Sequence, residues 1–116
     1  AYVVFGRAGN ASPSVPLAAL DGSNGFRLTG AAPGDTLTAG FAAGDVNGDG
    51  LADIILGAHL AGEPGRTQSG IAYVVFGTSE AQDPTRSLAA LDGSNGFRLA
   101  GAGAFNFAGA NVSGAG

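Results

Sequence analysis

The amino-acid sequence predicts an all-β fold, and three observations lead to that prediction. Glycine supplies 22 of the 116 residues, a content typical either of disordered chains or of structures with many tight turns. Apolar runs are nevertheless present at residues 2–5, 54–56 and 71–76, and a disordered segment lacks such runs. No segment shows sustained helical periodicity with capping residues. We therefore expect short strands joined by glycine-rich turns.

A repeat of 71 residues organises the chain. The block Ala-Tyr-Val-Val-Phe-Gly at residues 1–6 returns at residues 72–77. A second block, Leu-Asp-Gly-Ser-Asn-Gly-Phe-Arg-Leu, occurs at residues 20–28 and returns at residues 91–99. Because two separate blocks share one offset, we interpret the repeat as real rather than as a chance match.

The repeat divides the chain into three predicted parts. Residues 30–99 are expected to form one complete unit. Residues 1–29 would be the end of a preceding unit and residues 100–116 the start of a following one, because residues 114–116 correspond to residues 42–44. The sequence does not begin with methionine, so we also expect either a removed leader or a longer parent chain.

The complete unit contains four short strand signals. The run at residues 54–56 is apolar throughout, residues 71–76 are β-branched and aromatic, and residues 96–99 alternate between apolar and polar side chains. A fourth signal precedes the acidic loop and includes Leu37 and Phe41. Four short strands per repeat are typical of a β-propeller blade, although the common blade families have shorter periods of about 40–50 residues. The predicted fold is therefore an all-β propeller fold with fewer than two blades in this chain.

Residues 45–53 form an acidic loop with the oxygen atoms that a hard cation prefers. Oxygen-bearing side chains stand at loop positions one, three, five and nine, and the glycine at position six permits a sharp turn. Three carboxylates this close repel one another unless a cation lies between them. The loop therefore predicts a Ca²⁺ site, whereas Mg²⁺ fits less well because it keeps few protein ligands and several waters. The predicted ligands are Asp45, Asn47, Asp49, Leu51 through its backbone carbonyl, and Asp53.

The acidic segments also resemble other kinds of loop. An EF-hand loop needs a glutamate at position twelve and flanking helices, but that position is Leu56 and the loop leads directly into a strand. A solvated acidic turn without metal remains an alternative for residues 45–53. The segment at residues 21–25 and its copy at residues 92–96 have the Asp, Asn and Gly residues of a tight turn, and we prefer that interpretation to a second metal site.

Three motifs resemble the FG-GAP repeat, the blade of the integrin α-subunit propeller. They are Tyr-Val-Val-Phe-Gly at residues 73–77, Gly-Asp-Val-Asn-Gly-Asp-Gly at residues 44–50 and Ile-Ile-Leu-Gly-Ala at residues 54–58. The segment at residues 91–99 is similar to the long bacterial version found in secreted and surface proteins. The resemblance implies a blade of four antiparallel strands, with the metal loop joining the first two and supplying the five ligands named above.

The sequence departs from the family pattern in two places. The family's Gly-Ala-Pro becomes Gly57-Ala58-His59, which removes a rigid turn residue but no ligand. Before the acidic loop, Gly40 aligns with Val112, so this strand is weaker than the family pattern. A propeller of this family closes with about seven blades, far more than the chain contains.

Several classes of function are disfavoured by composition. The net charge is −4, lysine is absent and the five arginines are scattered, which does not fit a nucleic-acid interface. No stretch reaches the roughly 18 apolar residues of a membrane span. The single histidine, His59, and the absence of cysteine and lysine leave no recognisable nucleophile motif, so we do not expect an enzyme.

The expected function is that of a calcium-binding extracellular module, a structural scaffold or adhesion surface of bacterial secreted or cell-surface proteins. A lone blade exposes strand edges and apolar faces, so its partners should be other blades of the same protein or copies of itself, including a filament. Two alternatives remain, namely a carbohydrate-binding propeller and a non-catalytic segment of a secreted hydrolase.

Overall fold

Strands and tight turns make up the described part of the chain. The computed structural model describes residues 1–5, 16–31, 37–62, 68–79, 85–103, 105 and 109. Its strands are β1 (Tyr2–Val4), β2 (Gly25–Thr29), β3 (Leu37–Gly44), β4 (Asp53–Ala58), β5 (Ile71–Val75), β6 (Thr85–Ser87) and β7 (Gly96–Ala100). Two 3-10 helices of one turn each, Leu17–Ala19 and Leu88–Ala90, precede β2 and β7. The prediction of an all-β fold is confirmed.

Strands β3, β4, β5 and β7 form a four-stranded sheet in that order, and every neighbouring pair is antiparallel. These are the four strands that the sequence predicts for the complete unit, and the acidic loop joins the first two as the resemblance implies. Strands β4 and β5 are rich in β-branched and aromatic residues, which fit a pleated, buried surface. A Cβ atom at Gly40 would lie 2.7 Å from Cδ2 of Leu56, so this glycine in β3 leaves room for a core leucine.

A second sheet has the order β1-β2-β6. Its first pair repeats the register of the larger sheet, since Tyr2 is opposite Arg27 just as Tyr73 is opposite Arg98. Strand β6 lies between β5 and β7 in the sequence, yet it pairs in parallel with β2 of the smaller sheet.

The unit boundaries at residues 29/30 and 99/100 stay predictions, and most of the predicted following unit lies outside the described residues.

The hydrophobic core lies between the two sheets. Buried residues of β2 in the smaller sheet and of β4 and β5 in the larger sheet belong to one cluster. The buried cluster consists of Phe26, Leu28, Leu56, Ala58, Ala61, Ile71, Tyr73, Val75 and Leu88. Burying each large apolar side chain contributes about 1.5–3 kcal/mol, so contact between the sheets is the main source of stability here.

Candidate metal site

The acidic loop folds around the side chain of Asp45. Its carboxylate accepts hydrogen bonds from the backbone N–H groups of Gly48 at 2.7 Å, Asp49 at 2.9 Å and Gly50 at 2.7 Å. Gly48 and Gly50 have φ angles of +80° and +85°, a region that glycine enters without steric cost. The turn is therefore closed by hydrogen bonds within the loop, and the Asp45 carboxylate accepts three of them from backbone amides.

Asn47 and Asp49 are linked to each other within the same turn. The Asn47 side-chain amide donates to one oxygen of Asp49 at 3.1 Å, and the backbone N–H of Leu51 donates to the other at 2.8 Å. Asp45, Asn47 and Asp49 are exposed, whereas Leu51 is half-buried. The structure therefore places the first three predicted ligands in one solvent-exposed turn.

Asp53, the last predicted ligand of the loop, is fully buried, unlike these three side chains. Its two carboxylate oxygens accept hydrogen bonds from the backbone N–H of Val46 at 2.7 Å and of Gly77 at 2.8 Å. A buried charge is tolerated only when its oxygens are satisfied, and amide donors meet that requirement. Asp53 therefore connects the beginning of the loop with the chain that leaves β5.

The family comparison covers the strands on both sides of this loop. Residues 37–75, from the start of β3 to the end of β5, match the FG-GAP repeat family model. These residues are an FG-GAP repeat. The match includes the acidic loop and the first three strands of the four-stranded sheet, so this part of the chain is a propeller-type interaction module. No curated protein and no solved structure matches the chain.

Gly77, the glycine after Phe76, has a role in the FG-GAP repeat that sequence reasoning missed. Its N–H donates to buried Asp53, and a Cβ atom there would collide with the carbonyl oxygen of Ala52. This glycine belongs to a repeated block and to the FG-GAP motif in the sequence analysis, which gives it no structural role. The available signal was the repetition of Phe-Gly at residues 5–6 and 76–77, which indicates a position where the backbone needs close approach.

The chemistry of the FG-GAP loop fits a hard cation. Asp45, Asp49 and Asp53 each accept hydrogen bonds from backbone amides, and Asp49 also accepts one from the side-chain amide of Asn47. An ionised carboxylate has about four lone-pair sites, so each of the three keeps acceptor capacity. Within the described residues, no three His, Asp or Glu side chains form a ready-made metal cluster. The donor types therefore fit calcium, while the present arrangement is a turn closed by its own hydrogen bonds.

The segments at residues 21–25 and 92–96 are tight turns of identical design. In the first copy, the Asp21 carboxylate accepts the hydroxyl of Ser23 at 2.6 Å and its backbone N–H at 2.9 Å. Asp92 and Ser94 repeat both contacts. The serine hydroxyl is the main reason why the pKa of each aspartate is lowered. These contacts agree with the turn interpretation.

Proposed function

We propose that the chain is a calcium-binding module of an extracellular bacterial scaffold or adhesion protein. FG-GAP repeats are typical of extracellular proteins, and the two packed sheets provide the propeller-type framework. In the described part of the chain, no helix is long and apolar enough to cross a membrane. The observation that supports calcium most directly is the set of three carboxylates within nine residues, each of which accepts hydrogen bonds from backbone N–H groups.

The proposed ion is held by the side chains of Asp45, Asn47, Asp49 and Asp53 and by the backbone carbonyl of Leu51. Calcium binding should stabilise the fold because the positive ion offsets the repulsion among the carboxylates. Calcium binding at Asp53 should also stabilise the chain beyond β5, because the Asp53 carboxylate accepts a hydrogen bond from the backbone N–H of Gly77. If calcium binds only the folded chain, a hundredfold excess over Kd adds about 2.7 kcal/mol to the free energy of unfolding.

Calorimetric titration with calcium, and separately with magnesium, tests the proposal. We expect binding of one calcium ion and much weaker binding of magnesium. Asp49→Asn should weaken calcium binding by roughly tenfold, as expected for a loss of about 1.4 kcal/mol when one charged ligand becomes neutral. The fold should be kept, because the asparagine oxygen can still accept the N–H of Leu51.

Asp92→Asn is the matched control for this titration. It makes the same chemical change at an exposed aspartate in a turn that we do not assign to calcium. Calcium affinity should therefore equal that of the wild type. An absence of calcium binding by the folded wild-type chain, or equal losses in the two variants, would refute residues 45–53 as the site.

We also propose that this segment is not an enzyme. The only histidine, His59, follows β4, and its Nδ1 atom is buried with no hydrogen-bond partner in the described structure. A catalytic imidazole is normally oriented by a hydrogen bond to its second nitrogen. His59→Gln should therefore leave calcium binding unchanged, and assays with ester and glycoside substrates should show no turnover.

A further inference from the structure

Three asparagines of the chain are each followed directly by glycine. The pairs are Asn24-Gly25, Asn47-Gly48 and Asn95-Gly96. An Asn-Gly pair can deamidate without an enzyme, because no side chain on the glycine hinders attack by its nitrogen on the side-chain carbonyl carbon of asparagine. The reaction needs a near-attack geometry, so the surrounding structure decides which of the three pairs reacts.

The side chains and backbones of Asn24 and Asn95 are held in the same way. The side-chain oxygen of each accepts the N–H of the aspartate three residues earlier, at 2.9 and 3.0 Å. The side-chain amide of each donates at 3.1 Å to the carbonyl oxygen of the alanine five residues earlier. The backbone carbonyl oxygens accept the N–H groups of Phe5 and Phe76, which follow the neighbouring strands β1 and β5, at 2.9 Å. Movement of either asparagine towards its glycine therefore breaks contacts that reach beyond the turn.

The glycines after these two asparagines, Gly25 and Gly96, also have little room to move. Both are buried, and a Cβ atom at either one would collide with a carbonyl oxygen of the neighbouring strand. Gly48, in contrast, is exposed, and nothing lies within 4 Å of a Cβ atom there. Of the three glycine nitrogens, the one at Gly48 therefore has the most freedom to approach its asparagine.

Asn47 is exposed, and its described contacts lie within its own loop. Its side chain accepts the N–H of Asp49 at 3.2 Å and donates to the Asp49 carboxylate at 3.1 Å. The N–H of Gly48 donates to Asp45 at 2.7 Å. These contacts join residues two or three positions apart in an exposed turn. A local opening of the loop therefore frees both reacting groups without separating any strands.

We propose that Asn47 is a site of spontaneous deamidation in the folded chain, whereas Asn24 and Asn95 are protected. The Gly48 nitrogen forms a bond to the side-chain carbonyl carbon of Asn47, and its proton leaves with the side-chain nitrogen as ammonia. The product of this step is a cyclic succinimide. Water then opens the ring at one carbonyl to give aspartate or at the other to give isoaspartate. Water is the only co-reactant.

Both products change the loop around Asp45. Aspartate at position 47 places a carboxylate against Asp49, where the amide of Asn47 otherwise donates a hydrogen bond. Isoaspartate also carries the backbone through the former side chain, so the main chain before Gly48 becomes longer. This displaces the three backbone amides that bind the Asp45 carboxylate. Deamidation at Asn47 therefore opens a turn that the unmodified chain keeps closed.

Peptide mapping by mass spectrometry tests the proposal on the full chain. Cleavage after its five arginines places the three Asn-Gly pairs in separate peptides, which span residues 8–27, 28–66 and 87–98. Loss of the side-chain amide is followed at neutral pH in chelator, and fragmentation separates Asn24 from Asn10 in the first peptide.

Asn47 should lose its amide at least about tenfold faster than Asn24 or Asn95. A difference of about 1.4 kcal/mol in the free energy of local opening gives that ratio. Fragmentation of the peptide spanning residues 28–66 should show isoaspartate at position 47. A rate at Asn47 equal to or below those of the other two asparagines would overturn the proposal.

The same chain unfolded in urea is the matched control. Unfolding removes the contacts that distinguish the three sites and leaves each Asn-Gly pair unchanged. Asn24 and Asn95 should therefore react faster than in the folded chain, until the three rates converge. If Asn47 kept the same lead in urea, the neighbouring sequence rather than the fold would set the order of reaction, and the proposal would be wrong.

A parallel incubation in calcium separates this inference from the proposed calcium site. The inference concerns the metal-free loop and does not require that calcium binds. If Asn47 is a calcium ligand, as the proposed function holds, calcium should slow its deamidation at least about tenfold at a hundredfold excess over Kd. Asn24 and Asn95 should be unaffected. Equal rates at Asn47 with and without calcium would count against its role as a ligand and would leave the deamidation site in place.

Discussion

The buried carboxylate of Asp53 accepts a hydrogen bond from the backbone N–H of Gly77, 24 residues later in the chain, at 2.8 Å. Its other oxygen accepts the N–H of Val46 at 2.7 Å. One side chain therefore fixes the acidic loop to the chain beyond β5 without any metal. This contact gives Asp53 a structural role in addition to the proposed role as a ligand.

Replacing Asp53 with asparagine should destabilise the chain even in the absence of calcium. Asparagine keeps one acceptor oxygen but turns an NH₂ donor towards a backbone N–H, so one buried amide loses its partner. We expect a loss of about 1–3 kcal/mol in the free energy of unfolding, measured by urea denaturation in chelator. Asp92→Asn should have a much smaller effect because Asp92 is exposed. Equal stability of Asp53→Asn and the wild type would contradict this role.

Leu88 and Leu17 provide a matched pair for measuring the contact between the sheets. Leu88→Ala should lower the free energy of unfolding by about 2–5 kcal/mol, because it leaves a cavity in the core. Leu17→Ala makes the same change at the equivalent exposed position and should alter stability by no more than about 0.5 kcal/mol. Urea denaturation of the two variants under identical conditions compares them. Similar losses for both variants would show that the two positions are not differently packed.

Gly96, at the start of β7, should tolerate no side chain. Its φ angle is +148°, and a Cβ atom would collide with the carbonyl oxygen of Val74 on the neighbouring strand. Gly93 in the same turn has a φ angle of +95°, but nothing lies within 4 Å of a Cβ atom there. Gly93→Ala should therefore cost only the backbone strain of about 1–2 kcal/mol.

Gly96→Ala should cost at least about 1 kcal/mol more than Gly93→Ala, because the strand pair must also move apart. Thermal unfolding of the two variants under identical conditions measures the difference. If Gly93→Ala were the more damaging change, the close approach of β5 and β7 would not determine the loss of stability caused by a side chain at Gly96.

The Asp92–Ser94 contact should make stability depend on pH in the acidic range. The Ser94 hydroxyl lowers the pKa of Asp92 in the folded chain. A lowered folded-state pKa stabilises the fold above the ordinary aspartate pKa, and this contribution is lost as the pH falls through the folded value. The stability advantage of wild type over Ser94→Ala should thus be present at neutral pH and shrink in acid.

Nuclear magnetic resonance titration provides an internal control for that prediction. Ser94→Ala should raise the pKa of Asp92 towards its ordinary value and leave the pKa of Asp21 unchanged, because Asp21 has its own contact with Ser23. An unchanged pKa of Asp92 in the variant would show that the hydroxyl contact does not control its titration.

Much of the fold could be predicted because its signals are local. The four strands of the larger sheet coincide with the four predicted strand signals, and the turn around Asp45 follows from aspartate and glycine spacing within a few residues. Strand β6 could not be predicted, because its Thr-Arg-Ser sequence has no apolar pattern and its partner β2 is far away in the chain. The burial of Asp53 was missed for the same reason, since it depends on distant Gly77.

The parallel pairing of β6 with β2 also has a consequence for unfolding. Residues 85–87 pair with β2 of the smaller sheet, although in the sequence they lie between β5 and β7 of the larger sheet. The sheets share a core as well, which couples their opening further. We therefore expect both sheets to unfold in one cooperative transition. In a chain cleaved between β5 and β6, the strands on both sides of the cleavage should lose protection from hydrogen exchange.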